Sequence, residues 1–284
     1  MASGAPPAPN DDAALLTWLR AEAARPVAGW DFAHLAERMR EEDPPWDYRR
    51  MVVAAFAGSR ALLDLGTGGG EFLASLGPLP PLACATEGYP ANVPVARARL
   101  APLGVAVAAV GDDCRLPYAD GSFDLVISRH EAYDPREVRR VLRPGGRFIT
   151  QQVGGTHLLD LNRLLGAPDP PAEYADNVRL GLPGDDAGAT GNESPYLRWN
   201  LDFATRQIAA SGLAITGAEE AFPAVVFADA GAVVAYLSMV PWQVPAFTVE
   251  RYVDPLRAIH ERCSRGEPLV LRGHLFIVET RRIA

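Results

Sequence analysis

The sequence contains no lysine, because all 27 of its basic Lys and Arg residues are arginine. A lysine forms the Schiff base in enzymes that use pyridoxal phosphate, and another binds phosphate in the Gly-rich loop of ordinary nucleotide hydrolases. Both classes of enzyme are therefore excluded.

Cysteine and histidine are also scarce. Cys84, Cys114 and Cys263 lie far apart and form no Cys-x-x-Cys pair, which suits a reducing compartment and speaks against a zinc site built on cysteine. The 5 histidines show neither His-x-Glu nor His-x-x-x-His spacing. We therefore predict that the protein holds no metal.

Long apolar runs and excess positive charge are absent as well. No run approaches the roughly 18 residues of a membrane helix, and the first ten residues lack the basic-then-apolar pattern of a signal peptide. We expect a cytoplasmic protein that does not enter a membrane. The formal net charge of −8 disfavours bulk electrostatic binding of nucleic acid.

Short apolar runs alternate with helical segments from Arg60 onward, which predicts an α/β fold with a doubly wound parallel sheet. The predicted strands are Ala61–Leu65, Leu82–Thr86, Val105–Val110, Phe123–Ser128 and Arg147–Val153, and the helices between them are Glu71–Leu76, Val93–Leu100 and Pro135–Leu142. A strand at Ala214–Ala221 and a single last strand at Leu269–Thr280 complete the set.

The segments around this alternation suggest four parts. Residues 1–57 carry apolar stripes with helical spacing, including one at Phe32, Leu35, Ala36 and Met39, and are predicted to form a helical cap. Residues 58–153 form the core, and 154–200, rich in Gly, Pro and Asp, form an insertion over the substrate. Residues 201–284 return to the core and include two inserted helices, Ala230–Met239 and Val249–Arg262.

A glycine-rich loop, Gly66 to Gly70, follows the first predicted strand. Glycine lets the backbone turn tightly and approach a ligand closely. A dinucleotide fingerprint requires Gly or Ala where this chain has Glu71, and a carboxylate there would repel a pyrophosphate. The loop therefore favours a ligand without phosphate groups.

Acidic residues follow the next two strands, Glu87 at the end of the second and the pair Asp112 and Asp113 after the third. A carboxylate in the first of these places can accept hydrogen bonds from ribose hydroxyls, and one in the second can accept from an adenine amino group. Their order after a glycine loop predicts an adenosine-containing ligand.

Three ordered motifs resemble those of the class I S-adenosylmethionine-dependent methyltransferases, of the type 11 kind. They are Asp64–Gly70, Gly111–Asp124 and Val141–Phe148. The resemblance spans about residues 60–153. It implies S-adenosyl-L-methionine as cofactor and a Rossmann-like sheet of seven strands, mostly parallel, whose last strand is antiparallel.

The resemblance also implies a role for each matching position. Gly66, Thr67 and Gly68 belong to the loop at the methionine end of the cofactor, and Asp64 lies near the cofactor's amino group. Glu87 holds the ribose, and Asp112 and Asp113 lie at the adenine. Ser128 and Arg129 flank the sulfonium. Tyr48 either closes over the cofactor or packs as a core aromatic.

A narrower similarity connects the chain to the bacterial ribosomal RNA guanine-N1 methyltransferases. It rests on His157–Leu161 and on Asp229–Trp242. Those enzymes carry an N-terminal zinc module with four cysteines, which this chain lacks, and the departure puts RNA as substrate in doubt.

Methyl transfer from a sulfonium requires mainly alignment and exclusion of water, and a base only where the acceptor must lose a proton. His130 follows the fourth strand beside Glu131 and is the candidate base, with pocket shaping as its alternative role. His157 is a second, weaker candidate. We expect methylation of O or N on a small molecule, in secondary metabolism; the alternatives are an rRNA base methyltransferase and a non-catalytic cofactor-binding regulator. Oligomeric state is not predicted.

Overall fold

The computed structural model describes residues 11–26, 33–111, 114–170 and 195–283. The chain forms two compact units. One takes its described residues from 1–43, 156–174 and 222–274, and we call it the helix-rich unit. The other takes them from 44–155, 175–221 and 275–284, and we call it the sheet unit. In the described residues no helix is both long and apolar enough to span a membrane.

The sheet unit contains a seven-stranded sheet whose strands are β2 (Ala61–Leu65), β3 (Leu82–Glu87), β4 (Ala106–Ala109), β5 (Phe123–Arg129), β6 (Leu142–Val153), β7 (Leu213–Ala221) and β10 (Leu275–Arg282). Their order across the sheet is β4-β3-β2-β5-β6-β10-β7. The strands from β4 to β6 in this order pair in parallel, and β10 is antiparallel to both β6 and β7. The predicted fold class, with its antiparallel last strand, is confirmed.

Helices cover both faces of this sheet. They are α2 (Tyr48–Phe56), α3 (Glu71–Ser75), α4 (Asn92–Leu100), α5 (Pro135–Val141) and α7 (Leu201–Ala210). The side chains of Asp47, Asp134 and Asn200 accept backbone N–H bonds at the starts of α2, α5 and α7. Because every residue of β2 is buried, the strand preceding the glycine loop is fixed between two apolar layers.

The helix-rich unit is built from α1 (Asp12–Ala23), α6 (Leu159–Leu165), α8 (Ala230–Met239) and α9 (Val253–Ser264), with a three-stranded antiparallel sheet. That sheet has the order β1 (Met39–Glu41), β8 (Ala224–Phe227) and β9 (Leu269–Arg272). Helix α8 is buried on nearly all sides, which explains its almost wholly apolar sequence.

A charged cluster stabilises this unit. The guanidinium of Arg38 makes two hydrogen bonds to the carboxylate of Asp229, at 2.6 and 2.9 Å, and a third to Glu22 at 3.0 Å. All three side chains are largely buried, at 11%, 17% and 4% exposure respectively. The two carboxylates are therefore compensated by one planar, bidentate cation.

Two sequence predictions of local structure are wrong. The stripe at Phe32–Met39 was expected to be helical, but residues Ala33–Leu35 form one 3-10 turn and Met39 begins β1, because it pairs with Phe227 of β8, a strand that the pattern did not predict. The single strand Leu269–Thr280 is two strands, β9 and β10, which belong to different sheets. The break falls at Gly273 and His274.

The compact units also divide the chain differently from the four predicted parts. Helix α2, placed in the cap by sequence, belongs to the sheet unit, and residues 222–274 belong to the other unit although they were assigned to the core. Contacts between residues far apart in the chain define each unit, and changes of composition along the chain do not indicate such contacts.

Candidate active site

The glycine loop joins β2 to α3 at the carboxyl edge of the sheet. Gly66, Gly68 and Gly70 all have positive φ, at +62°, +62° and +82°. Other residues adopt this conformation at a cost, so the alternation of glycines fits the backbone path. A Cβ on Gly66 would also clash with the side chain of Glu131, which packs directly against the loop.

Glu87, at the end of β3, bonds the glycine loop from the neighbouring strand. Its carboxylate accepts the N–H of Gly68 at 2.6 Å and the N–H of Tyr89 at 2.8 Å, one on each oxygen. Burial raises the pKa of this carboxyl, and these bonds act in the opposite direction. Each oxygen retains a further lone pair, so Glu87 can still accept a hydroxyl of a ligand.

Asp64 lies near the end of β2 and is almost fully buried, with 4% of its surface exposed. Burial, with a smaller contribution from the charge of Glu87, raises the pKa of Asp64 to about 7, and the charge of Arg129 partly opposes the rise. A carboxyl with this pKa beside the glycine loop can bind a cationic group of a ligand. Such a group would favour the carboxylate form.

Tyr48, at the start of α2, packs as a core aromatic. Its hydroxyl donates to the carbonyl of Ser128 at 3.0 Å, and its ring stacks on Phe72 at 5.4 Å between centroids. Arg129 lies over the other ring, 5.1 Å from the centroid of Phe72. These contacts agree with the second of the two roles left open for Tyr48, while closure over a cofactor stays a prediction.

The segment from Ser128 to Glu131 spans the end of β5 and the two residues after it, and it is held from β6 by the side-chain amides of Gln151 and Gln152. The amide nitrogen of Gln152 donates to the carbonyl of Glu131 at 3.1 Å, and the amide nitrogen of Gln151 lies 3.0 Å from Nε2 of His130. The side chain of Ser128 is fully buried. It therefore shapes this segment from the interior, and a contact of Ser128 with the sulfonium stays a prediction.

A cavity of about 90 Å³ opens between the glycine loop and the segment after β5. It is lined by Leu65, Gly66, Thr86, Gly88, Val110, Gly111, Cys114, Leu116, Glu131, Ala132, Tyr133, Asp134 and Val138. The ionisable side chains among them include the acids Glu131 and Asp134, with Asp64 and Glu87 in the adjoining strands. Because the carboxylate of Asp134 pairs with Arg136 at 2.9 Å and the pKa of Asp64 is raised, it is Glu131 and Glu87 that favour a ligand with positive charge.

The structure brings most of the predicted residues to one sheet edge. Asp64, Gly66, Thr67, Gly68 and Glu87 form the glycine loop and its supports. Ser128 and Arg129 end the adjacent β5, and His130 follows it. Asp112 and Asp113 lie outside the described residues.

His157 belongs to the helix-rich unit, where its Nδ1 accepts the backbone N–H of His274 at 3.1 Å. Burial, together with the charge of His274, lowers the pKa of His157 to about 4. Its candidacy as a base stays a prediction. Glu71, whose charge was used to disfavour phosphates, pairs with Arg99 and is exposed.

Sequence reasoning missed Trp46, Gln151 and Gln152. A signal for the last two was available, because Thr150, Gln151 and Gln152 are consecutive polar residues in the buried end of β6, where a buried side chain requires a hydrogen-bond partner. No pattern pointed to Trp46, which precedes α2 and whose indole N–H donates to Oε1 of Gln151.

Comparison with known proteins supports this picture at the level of the domain and the fold. Residues 63–150 match a family described as methyltransferase domain. A curated Escherichia coli K12 protein, the uncharacterised YafE, is 49% identical over 45 residues. That match spans 13% of this chain and 22% of YafE.

Two solved structures share the fold. A candidate methyltransferase of Bacillus halodurans C-125 aligns with a TM-score of 0.53 and 17% identity, covering 84% of this chain and 99% of its own. The YcgJ protein of Bacillus subtilis aligns with a TM-score of 0.52 and 16% identity, covering 84% and 98%. At these identities the two structures show the fold alone.

Proposed function

We propose that the chain, whose residues 63–150 match a methyltransferase domain, transfers a methyl group from S-adenosyl-L-methionine to O or N of a small molecule. The observation that carries the proposal is the bond between the Gly68 amide of the left-handed glycine loop and the Glu87 carboxylate, one strand over. In such a loop the backbone of the glycines, rather than a set of side chains, would face the ligand.

The residues present fit this cofactor. Gly66 presents a bare Cα where a Cβ would clash, Glu87 retains lone pairs for ribose hydroxyls, and Asp64 is a buried carboxyl suited to an ammonium group. When bound, the cofactor supplies a methyl group that is already activated on a sulfonium. The carboxylate of Glu131 in the lining of the cavity favours its positive charge.

The chain itself would contribute binding, orientation and exclusion of water. The segment from Ser128 to Glu131 is fixed by buried amides of β6, so groups at this edge of the sheet are held before a ligand arrives. Such preorganisation is worth several kcal/mol in reactions that depend on alignment. The small acceptor is supported by the net charge of −8, which opposes binding of RNA.

Isothermal titration calorimetry with S-adenosylmethionine and S-adenosylhomocysteine tests the first part of the proposal. We expect saturable binding of both, reduced at least several-fold in Glu87→Ala and unchanged in Glu261→Ala, an exposed carboxylate on α9. Absence of binding to the wild-type protein would overturn the proposal.

Release of S-adenosylhomocysteine tests the second part. We expect it with a low-molecular-weight cell extract and not with ribosomal RNA. Methylation of RNA alone would favour an rRNA methyltransferase, and cofactor binding without product from either pool would favour a regulatory protein. The cytoplasmic setting and secondary metabolism are part of the proposal.

A further inference from the structure

An arginine without an ion-pair partner among the described residues ends β5. The guanidinium of Arg129 lies over the ring of Phe72 on α3, 5.1 Å from the centroid. The residue is exposed, and no carboxylate in the described part of the chain forms an ion pair with it. Arg129 therefore presents a positive charge beside the helix that follows the glycine loop.

Arg129 and Asp64 lie on the same face of the sheet. Asp64 of β2 pairs with Ile127 of the parallel β5, and Arg129 is two residues further along β5. Side chains alternate between the two faces of a sheet, and paired residues on neighbouring strands share a face. Because Ile127 packs in one apolar cluster with Tyr48 of α2 and Leu73 of α3, this face is the one that those two helices cover.

The charges of these two residues interact but do not neutralise each other. The positive charge of Arg129 lowers the pKa of Asp64, in opposition to the stronger effect of burial. Asp64 is 4% exposed and forms no ion pair with Arg129. Each side chain can therefore bind a ligand group of the opposite charge.

The cavity beside the glycine loop lies on the other face of the sheet. Leu65 and Tyr133, which line it, belong to the apolar cluster on the face opposite Tyr48. The glycine loop, which connects Asp64 to Phe72, therefore has the cavity on one side and the two charged groups on the other. A ligand that crosses the loop can place a nucleoside in the cavity and a charged end at Asp64 and Arg129.

We propose that Arg129 binds the carboxylate of the amino-acid portion of S-adenosylmethionine, while Asp64 binds its ammonium group. The inference rests on the proposed function and assigns the contact by which the protein selects a nucleoside with an intact amino acid. An α-amino acid carries an ammonium and a carboxylate on one carbon atom, and a guanidinium can donate two parallel hydrogen bonds to a carboxylate. A guanidinium beside the sulfonium would instead bring two cations together.

Two ligands that differ in one group separate the carboxylate contact from the rest of the site. They are S-adenosylhomocysteine and its decarboxylated analogue, which keeps the adenosine, the sulfur and the amino group. In isothermal titration calorimetry we expect the wild-type protein to bind S-adenosylhomocysteine about tenfold more tightly than the analogue, or better. Equal affinities for the two ligands would overturn the proposal.

Arg129→Met removes the guanidinium and keeps an unbranched side chain that can pack on Phe72. We expect it to weaken the binding of S-adenosylhomocysteine about tenfold or more and to leave the affinity for the analogue nearly unchanged. Retained binding of the analogue shows that the variant is folded. A preference for S-adenosylhomocysteine that persists in Arg129→Met would contradict the proposal.

Asp64→Asn is expected to give the crossed result. Both ligands carry the amino group, so the loss of the carboxylate should weaken both by similar factors and preserve the preference for S-adenosylhomocysteine. Weakening of one ligand alone would contradict the assignment of Asp64. Arg206→Met is the matched control, because it removes an exposed guanidinium of α7 that pairs with Asp202, and both affinities should equal those of the wild type.

The same measurements separate this inference from the proposed function. Failure of the wild-type protein to bind either ligand would refute the proposed function itself. Equal binding of the two ligands would refute only the role of Arg129. Wild-type affinity of Arg129→Met for S-adenosylhomocysteine, together with slower methyl transfer to the low-molecular-weight extract, would place Arg129 at the acceptor and overturn the assignment.

Discussion

Asp64→Asn tests the electrostatic reasoning about the glycine loop most directly. Burial raises the pKa of Asp64 from 3.8 to about 7. A difference of this size between the folded and unfolded chain corresponds to roughly 4 kcal/mol. Since the folded state holds the proton more tightly, the free energy of unfolding contributed by this group is highest below pH 4 and falls as the pH rises toward 7.

Asparagine is neutral and has nearly the shape of protonated aspartic acid. We therefore expect Asp64→Asn to unfold with about the wild-type free energy at pH 4 and with a higher one at pH 8, by up to roughly 4 kcal/mol. Urea unfolding at both pH values measures the difference. Asp202→Asn, which removes an exposed carboxyl on α7, is the matched control for the substitution itself.

A direct titration of the Asp64 carboxyl by ¹³C NMR gives an independent check. We expect its midpoint near pH 7, with the resonance assigned by its loss in Asp64→Asn. A midpoint below about 5 would refute the argument that burial dominates at this site, because exposed aspartates titrate near 3.9.

Three other changes have definite expected outcomes. Glu87→Ala should weaken binding of S-adenosylhomocysteine at least several-fold by calorimetry, and wild-type affinity would remove Glu87 from the ribose site. Gly68→Val should abolish that binding because a Cβ there would fill the space that the proposed cofactor occupies, whereas Gly104→Val, with a similar φ of +72° but outside the glycine loop, should retain it. Arg38→Met should lower the free energy of unfolding by about 3–5 kcal/mol, since two buried carboxylates lose their cation, while Arg163→Met, at 69% exposure, should cost under about 1 kcal/mol in the same urea titration.

The parallel part of the sheet was predictable for a local reason. A strand buried on both faces must be a short, largely apolar run, and β2 and the buried centre of β5, Leu125–Ile127, are such runs. The glycine loop was equally accessible, because three positive φ values in five residues require glycine at Gly66, Gly68 and Gly70. Short strands with mixed burial, such as β1 and β8, gave no comparable signal.

The sequence by itself therefore determined the doubly wound sheet, the position of its ligand loop and the acidic residue one strand away, since each depends on residues close together in the chain. Only the tertiary structure decided that Met39 pairs with Phe227, that Asp64 is buried deeply enough to shift its pKa, and that Gln151 lies between an indole and an imidazole. Those properties depend on groups more than 100 residues apart or on exclusion of water by several elements at once. A local sequence pattern does not identify contacts between residues so far apart. The burial of a side chain depends on how the whole molecule packs.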